Sequence, residues 1–231
     1  MQPQYFDKCI NEKERTYCLT VANLKRIILE NNILKIAKQI QAISQTGIRF
    51  TKDHFDKQRF EELRELSVQL VAQVTDAEIE KIKGLFTCET GFQTPKVDVR
   101  AVVIEKGEIL LTKENSDNKW SLPGGYADVN YSPNAIAEKE VYEETGLRVR
   151  ANRTLAIIDT NKHNFPPLEY HFYKIVILCD KIDGELRGSD ETQESRFFSF
   201  ENLPELSVKR NTYELIDLIR EKLKDKQTYS D

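Results

Sequence analysis

The sequence predicts an α/β/α sandwich with a mixed sheet, preceded by a small all-α region. Three observations carry this. Apolar spacing changes from three-and-four to alternation near residue 96. One capped helix lies between strand-like runs on either side. An amphipathic helix, Thr212 to Lys224, closes the chain. A chain of 231 residues suits two domains. The expected division is a helical, dimer-forming domain over residues 1–86, a linker over 87–96 and the α/β domain over 97–231.

The first eighteen residues are polar and read as irregular. From Val21 to Ser44 the pattern is helical, with a stripe of Ile33, Ile36, Ala37, Ile40 and Ile43, and Gly47 reads as its stop. A polar connector, Ile48 to Asp56, leads to a second helix striped by Phe60, Leu63, Leu66, Leu70 and Val74 and broken at Thr75–Asp76. A third covers Ala77 to Leu85. Such helices cannot bury their apolar surface alone. They pack on the following domain or on a second copy, and a homodimer is the expectation.

Gly84 to Lys96 carries two glycines and a proline and reads as a connector. Val97, Val99 and Ala101 then alternate with Asp98 and Arg100 before the apolar Val102 to Ile104. Lys106–Gly107 is a tight turn, and Ile109 to Thr112 is the returning strand. Further strands are expected at Trp120–Leu122, Val149–Ile158, Tyr170–Cys179 and Arg196–Phe200.

Net charge is −4, which disfavours a general nucleic-acid or membrane-surface binder and leaves room for a local basic cleft. No apolar run has bilayer length, and the start has no basic-then-apolar leader pattern. Cys9, Cys18, Cys88 and Cys179 form no CxxC pair and read as free thiols. A cytoplasmic protein with no membrane partner is the expectation.

Chemistry concentrates between Leu122 and Val149, LPGGYADVNYSPNAIAEKEVYEETGLRV. Gly124–Gly125 make a sharp turn, Ser132 is placed to cap a helix, Pro133 to begin it and Gly146 to end it. Glu140, Glu143 and Glu144 fall at i, i+3 and i+4, on one helical face. Three like charges there repel one another unless a cation joins them, and hard oxygen donors suit Mg²⁺ or Mn²⁺. A solvated acidic face is the plain alternative in a chain with 31% charged residues. The glycines and caps favour the metal site.

This stretch resembles the Nudix box, counted from Gly125 through Lys139, Glu140, Val141, Glu143, Glu144, Gly146 and Leu147. Two positions depart from the pattern: Tyr131 stands where a Glu is usual, and Lys139 where an Arg is usual. The resemblance implies metal-dependent hydrolysis of a nucleoside diphosphate linked to a group X. It implies Glu140, Glu143 and Glu144 as catalytic metal ligands, with the main-chain carbonyl of Gly124 as a further one. Lys139 would orient Glu143, without the bidentate fork of Arg. For the general base the resemblance implies a box glutamate or an acid on a late loop; that loop offers Glu191 and Glu194, and Glu191 is preferred because Glu194 lies nearer the next strand. Substrate contacts are expected at Gly125 and Tyr126. Arg100 either clamps a phosphate or pairs with Asp98 or a helix acid. His171 is either a hydrogen-bonded core residue or a substrate contact, and Trp120 is either a base-stacking ring or a core anchor.

Segments beyond the box, TPKVDVRA, KWSLPGGYADV, PPLEYHFYK, ETQESRFF and LPELS, are similar to a Nudix subgroup with an extra N-terminal helical domain. Within it the chain is most similar to CDP-choline pyrophosphatases, which implies release of CMP and phosphocholine. ADP-ribose pyrophosphatases and RNA-end hydrolases are the alternatives, and a ligand-sensing module without turnover is a third.

Overall fold

A computed structural model describes residues 21–74, 79–87, 91–163, 168 and 170–231. The readings of the first eighteen residues, of the Thr75–Asp76 break and of Cys9, Cys18 and Cys88 fall outside them. Three helices come first: α1 (Val21–Phe50), α2 (His54–Val74) and α3 (Ile79–Thr87). The rest alternates strands and helices: β1 (Lys96–Glu105), β2 (Glu108–Glu114), β3 (Trp120–Ser121), β4 (Gly124–Tyr126), α4 (Pro133–Thr145), β5 (Arg148–Asp159), α5 (Thr160–His163), β6 (Phe172–Asp183), β7 (Thr192–Phe198), α6 (Tyr213–Lys222) and β8 (Tyr229–Ser230).

The N-terminal helices correct the sequence expectation in a useful way. Helix α1 passes through Gly47 to Phe50, and the connector shrinks to 51–53. The face that α1 buries is Leu34, Ala37, Gln41, Ser44 and Gln45, packed with Val68, Val71 and Ile82. Of the isoleucine stripe, Ile36 and Ile43 stand 52% and 63% exposed, in line with Leu29 at 59%. Leu63 and Leu66 on α2 are likewise exposed. The buried face mixes the small Ala37 and Ser44 with the larger Leu34, Gln41 and Gln45, because contact with α2 and α3 rather than apolar character selects it. Two of the buried polar side chains find partners within the helix: Gln41 Nε2 donates to Gln45 Oε1 at 2.8 Å, and Ser44 Oγ to the Ile40 carbonyl at 2.7 Å. Gly47 belongs to the same seam, since a Cβ there would lie 2.5 Å from the Phe60 ring. Gly84 lies inside α3 and opens no turn.

Strand β1 is the hub of the catalytic layer. It pairs parallel to β6 from Lys96↔Phe172 to Val103↔Cys179, and antiparallel to β4 and, at its far end, to β2. The path β3-β2-β1-β6-β5-β8 makes the sheet mixed, with β7 beside β2. Lys106 and Gly107, both at positive φ (52° and 84°), close the β1–β2 hairpin in the geometry that suits the strand twist. Alternation sorts the side chains to two faces. One face packs Val99, Ala101, Val103 and Ile177 against Ile136, Ala137 and Val141 of α4. The other packs Val102, Leu111, Trp120 and Val176 against Leu215, Ile216 and Ile219 of α6. The α/β/α sandwich follows, and Trp120 serves as a core anchor, its ring edge-on to Phe198 at 4.6 Å. Strand β7 begins four residues earlier than its apolar run suggested. The only free cysteine among the described residues is the buried Cys179, whose thiol burial pushes up to about 12.

Helix propensity alone makes Gly47→Ala stabilising by about 1 kcal/mol. The Phe60 contact reverses this, so urea unfolding should show a loss for Gly47→Ala and a gain for the same change made in a Phe60→Ala background. A gain in both backgrounds would remove Gly47 from the seam.

Candidate active site

The box loop is seated by a glycine. Gly124 has φ 140°, and its pairing with Arg100 brings it so close to β1 that a Cβ would lie 2.1 Å from the Val99 carbonyl oxygen. No other residue fits there. Gly125 follows, where a Cβ would lie 3.3 Å from Glu140 Oε2. Helix α4 is held over this loop by its caps. Ser132 Oγ accepts from the Ala135 N–H at 3.2 Å, Pro133 opens the helix, and the Gly146 N–H, at φ 78°, donates to the Tyr142 carbonyl. Caps of this type contribute about 1 kcal/mol each.

The three helix carboxylates do not share one environment. Glu144 is buried; Oε1 accepts from the Gly124 N–H at 3.3 Å and Oε2 from Thr112 Oγ1 at 3.2 Å. Burial pushes its carboxyl up to about 8, with Glu114 and Glu140 adding to the rise against Arg100 and the Gly124 amide. Glu140 is half-buried and is also raised, again by burial first. Glu143 leans outward with its side chain 55% exposed, 3.6 Å from Lys139 Nζ. Lys139 also lies 2.9 Å from Asp128 and 5.9 Å from the centroid of the Tyr131 ring. The hydrogen bond to Asp128 is the largest cause of its raised pKa. Tyr131 and Asp128 therefore dock the same ammonium, an arrangement that the sequence comparison with the box did not expose.

Glu140 and Glu144 open onto a cavity of about 620 Å³, with Glu114 and Glu191 on the same wall. Glu191 precedes β7, its amide accepted by Ser189 Oγ, while Glu194 sits within β7 paired with Arg196. Tyr126, Tyr170 and Phe172 also line it; Tyr126 and Phe172 stack at 5.6 Å with 14° between their planes. Basic groups complete the lining: Arg100, Lys174, Lys209 and Arg210. Of the expected contacts, Arg100, Gly124, Gly125, Tyr126, Glu140, Glu144 and Glu191 line this cavity. Glu143, Lys139 and His171 do not. His171 has the parity of Tyr173, opposite Phe172 and Lys174, and its Nε2 lies 2.9 Å from Asp159.

Beneath the cavity runs a buried ion cluster that the sequence reading saw only in part. Asp98 and Arg100 share a strand face, and the parallel register sets Lys174 beside Asp98. Arg100 Nη2 lies 2.9 Å and Lys174 Nζ 2.8 Å from the Asp98 carboxylate, and Arg100 Nη1 also donates to the Leu122 carbonyl at 3.1 Å. Burial raises the Asp98 pKa, but the two cations outweigh it and hold the carboxyl at about 2. Burial, with the nearby charges of Arg100 and Arg210, holds Lys174 below its ordinary value despite the Asp98 carboxylate. Glu114 hydrogen-bonds Ser121 and pairs with Arg210 at 3.0 Å. Lys174, Glu114 and Phe172 were missed as site residues because strand alternation marks a face, and only the register says which strands meet over a cavity.

The donor set fits a divalent cation by chemistry. Glu140 and Glu144 are oxygen donors on one cavity wall, and burial penalises exactly the charge that a cation offsets. Among the described residues the carboxylates are spread along that wall and form no tight group of three.

A carboxyl lowered in the fold contributes stability above its unfolded pKa near 3.8 and loses it as pH falls toward 2. Asp98→Asn should therefore flatten the acid limb of a stability–pH curve between about 4 and 2, and cost on the order of 3 kcal/mol at pH 7 by leaving two buried cations unbalanced. Urea unfolding across pH measures both; an unchanged acid limb would refute the ion-cluster assignment.

Comparison with known proteins agrees with this architecture. The NUDIX domain matches residues 94–219, and residues 31–86 match the UDP-X-like N-terminal oligomerisation domain. A Bacillus subtilis protein, YjhB, provisionally named an ADP-ribose pyrophosphatase, is 41% identical over 207 residues, 89% of this chain and 100% of the relative. A solved UDP-X diphosphatase is 34% identical with a TM-score of 0.58, covering 87% of this chain and 99% of that one. A solved ADP-ribose pyrophosphatase of Streptococcus suis is 42% identical with a TM-score of 0.55, covering 60% of this chain and 100% of that one. Nudix enzymes generally use divalent cations such as Mg²⁺ or Mn²⁺. The chain belongs to the Nudix family and is a Nudix pyrophosphatase.

Proposed function

We propose that this protein hydrolyses the pyrophosphate bond of a nucleoside diphosphate linked to X, with CDP-choline, giving CMP and phosphocholine, as the substrate. The observation that carries the class is the single cavity with a carboxylate wall, basic groups and a stacked aromatic wall. A diphosphate suits the basic groups and the acids a bound cation, while a base stacks on Tyr126 or Tyr170. The CDP-choline assignment is supported by the chain-long resemblance of TPKVDVRA, KWSLPGGYADV and ETQESRFF to that subgroup. The names of the relatives favour a second reading, an ADP-ribose or UDP-linked substrate.

Glu140 and Glu144, with the Gly124 carbonyl, are the proposed metal ligands, and Glu143 is the third, reached by a side-chain rotation away from Lys139. A divalent cation bound there would screen the phosphate charge and lower the pKa of a coordinated water. Glu191 is the proposed base that accepts the proton of the attacking water. The oxygen of that water bonds to one phosphorus as the bond to the bridging oxygen breaks, leaving a nucleoside monophosphate and X-phosphate. Arg100, already committed to Asp98, shapes the field beneath the diphosphate rather than gripping it as a mobile clamp.

The outward Leu29, Ile36 and Ile43, spaced by seven, support a homodimer through the N-terminal helices. No helix among the described residues is long and apolar enough to cross a membrane, so the stripe is not a spanning segment.

Substrate class is checked by a product assay with Mg²⁺ or Mn²⁺ on CDP-choline, ADP-ribose, UDP-sugars and a short RNA. CDP-choline should lead, and Glu144→Gln should lose orders of magnitude in turnover with little change in unfolding midpoint. Near-normal activity in that variant would remove Glu144 from the chemistry. Dimerisation is checked separately by sedimentation. Wild type should run at twice the 26.9 kDa chain mass, and Ile36→Glu combined with Ile43→Glu at a single chain; a wild-type monomer would end the dimer reading.

A further inference from the structure

The aromatic wall of the cavity does not stand on the catalytic layers alone. Lys38 Nζ, on α1, donates a 2.6 Å hydrogen bond to the Leu168 carbonyl and a 3.2 Å bond to Asn161 Oδ1. Leu168 and Tyr170 both line the cavity. Lys96 Nζ lies 5.5 Å from the centroid of the Tyr170 ring, Tyr170 meets Phe172 edge-on at 6.0 Å, and Phe172 stacks on Tyr126. Lys38 thus holds the chain at Leu168, two residues before Tyr170, and ring contacts run from Tyr170 through Phe172 to Tyr126, the residue after the box glycines.

We propose that Lys38 is a positioning residue for substrate binding, through which the N-terminal helix sets the aromatic wall of the cavity. The inference rests on the nucleoside diphosphate reading. A charge-assisted bond to a main-chain carbonyl is among the stronger single ties available to a loop. It joins Leu168 to a helix packed in a separate core. Stacking on a ring gains free energy only if the ring is already held in place, because ordering it on binding subtracts from the affinity. The proposed metal ligands lie on α4, whereas Lys38 bonds to Leu168 and Asn161. Loss of the tie therefore weakens ground-state and transition-state binding together, raising KM and sparing kcat.

The test uses the full chain as Lys38→Met, Lys38→Arg and Lys35→Met, the last removing the same charge one turn away without a bond to Leu168 or Asn161. Kinetics are measured on whichever nucleoside diphosphate the wild type hydrolyses fastest, and hydrogen–deuterium exchange follows residues 168–174 in the substrate-free protein. Lys38→Met should raise KM about tenfold, the loss of one charge-assisted hydrogen bond, with kcat within about twofold. Exchange over 168–174 should quicken. Lys38→Arg should recover most of the KM, and Lys35→Met should match wild type. Wild-type KM in Lys38→Met, a loss confined to kcat, or an equal effect of Lys35→Met would each overturn the assignment. If the wild type hydrolyses no nucleoside diphosphate, the substrate reading fails on its own. Exchange then decides the tether: unchanged rates overturn it, and faster rates limited to 168–174 support it.

Discussion

The close approach of Gly124 to β1 is the constraint on which the site depends. With 2.1 Å between a notional Cβ and the Val99 carbonyl, β4 can pair with β1 only if that residue is glycine. Once paired, the loop exports its main-chain groups to every neighbour. The Pro123 carbonyl accepts from the Ala101 N–H at 2.8 Å, the Leu122 carbonyl takes Arg100, and the Gly124 N–H turns to Glu144. The Leu122 N–H is taken by Asn211 Oδ1 at 2.8 Å, which draws the approach to α6 toward the cavity and brings Arg210 to Glu114. One steric condition thus orders the acids of α4 and the cations of three other segments around a single space.

Charge is arranged in layers around that space. The acids occupy the wall formed by α4, β2 and the loop before β7, and the Asp98–Arg100–Lys174 cluster lies beneath them. Buried ion pairs seldom add net stability, since desolvation consumes most of the attraction. Their use here is positional: Arg100 and Lys174 are held rigidly, with an excess of one positive charge, where an anionic substrate and a carboxylate wall meet. The Lys139–Asp128–Tyr131 group does similar work on the outside of α4, giving the helix acids a cationic neighbour despite both departures from the family pattern.

The N-terminal helices are joined to this machinery by polar contacts rather than by a common core. Their own core is the small cluster around Leu34, Ala37, Val68, Val71 and Ile82, separate from the two sheet-face cores. Lys38 and Gln45 reach the catalytic domain and the connector, Gln45 Nε2 donating to the Gly91 carbonyl at 3.2 Å. A helical unit that shows Ile36 and Ile43 outward is suited to carry an apolar contact elsewhere, while Lys38 reaches the catalytic layers.

Local signals in the sequence determined a good deal. The caps of α4, the Lys106–Gly107 hairpin and the change of period near residue 96 are properties of a few neighbouring residues, and each appears where the spacing put it. The layer order followed, because one helix between strands and one after them leaves few ways to cover both faces of a sheet. What the tertiary structure decided was everything that depends on which segments meet. Hydrophobicity marked Ile33, Ile36, Ala37, Ile40 and Ile43 as the inner face of α1; Ala37 is buried there, but Ile36 and Ile43 face outward and Leu34, Gln41 and Ser44 are buried, because contact with α2 and α3 selects the face. Alternation placed His171 and Lys174 on opposite faces without saying which face opens on the cavity. The spacing of Glu140, Glu143 and Glu144 put three acids on one helical face, yet the loop beneath that face admits two and leaves the third to Lys139. Spacing along a chain carries no information about what lies across from it, and strand register and close contact supply it.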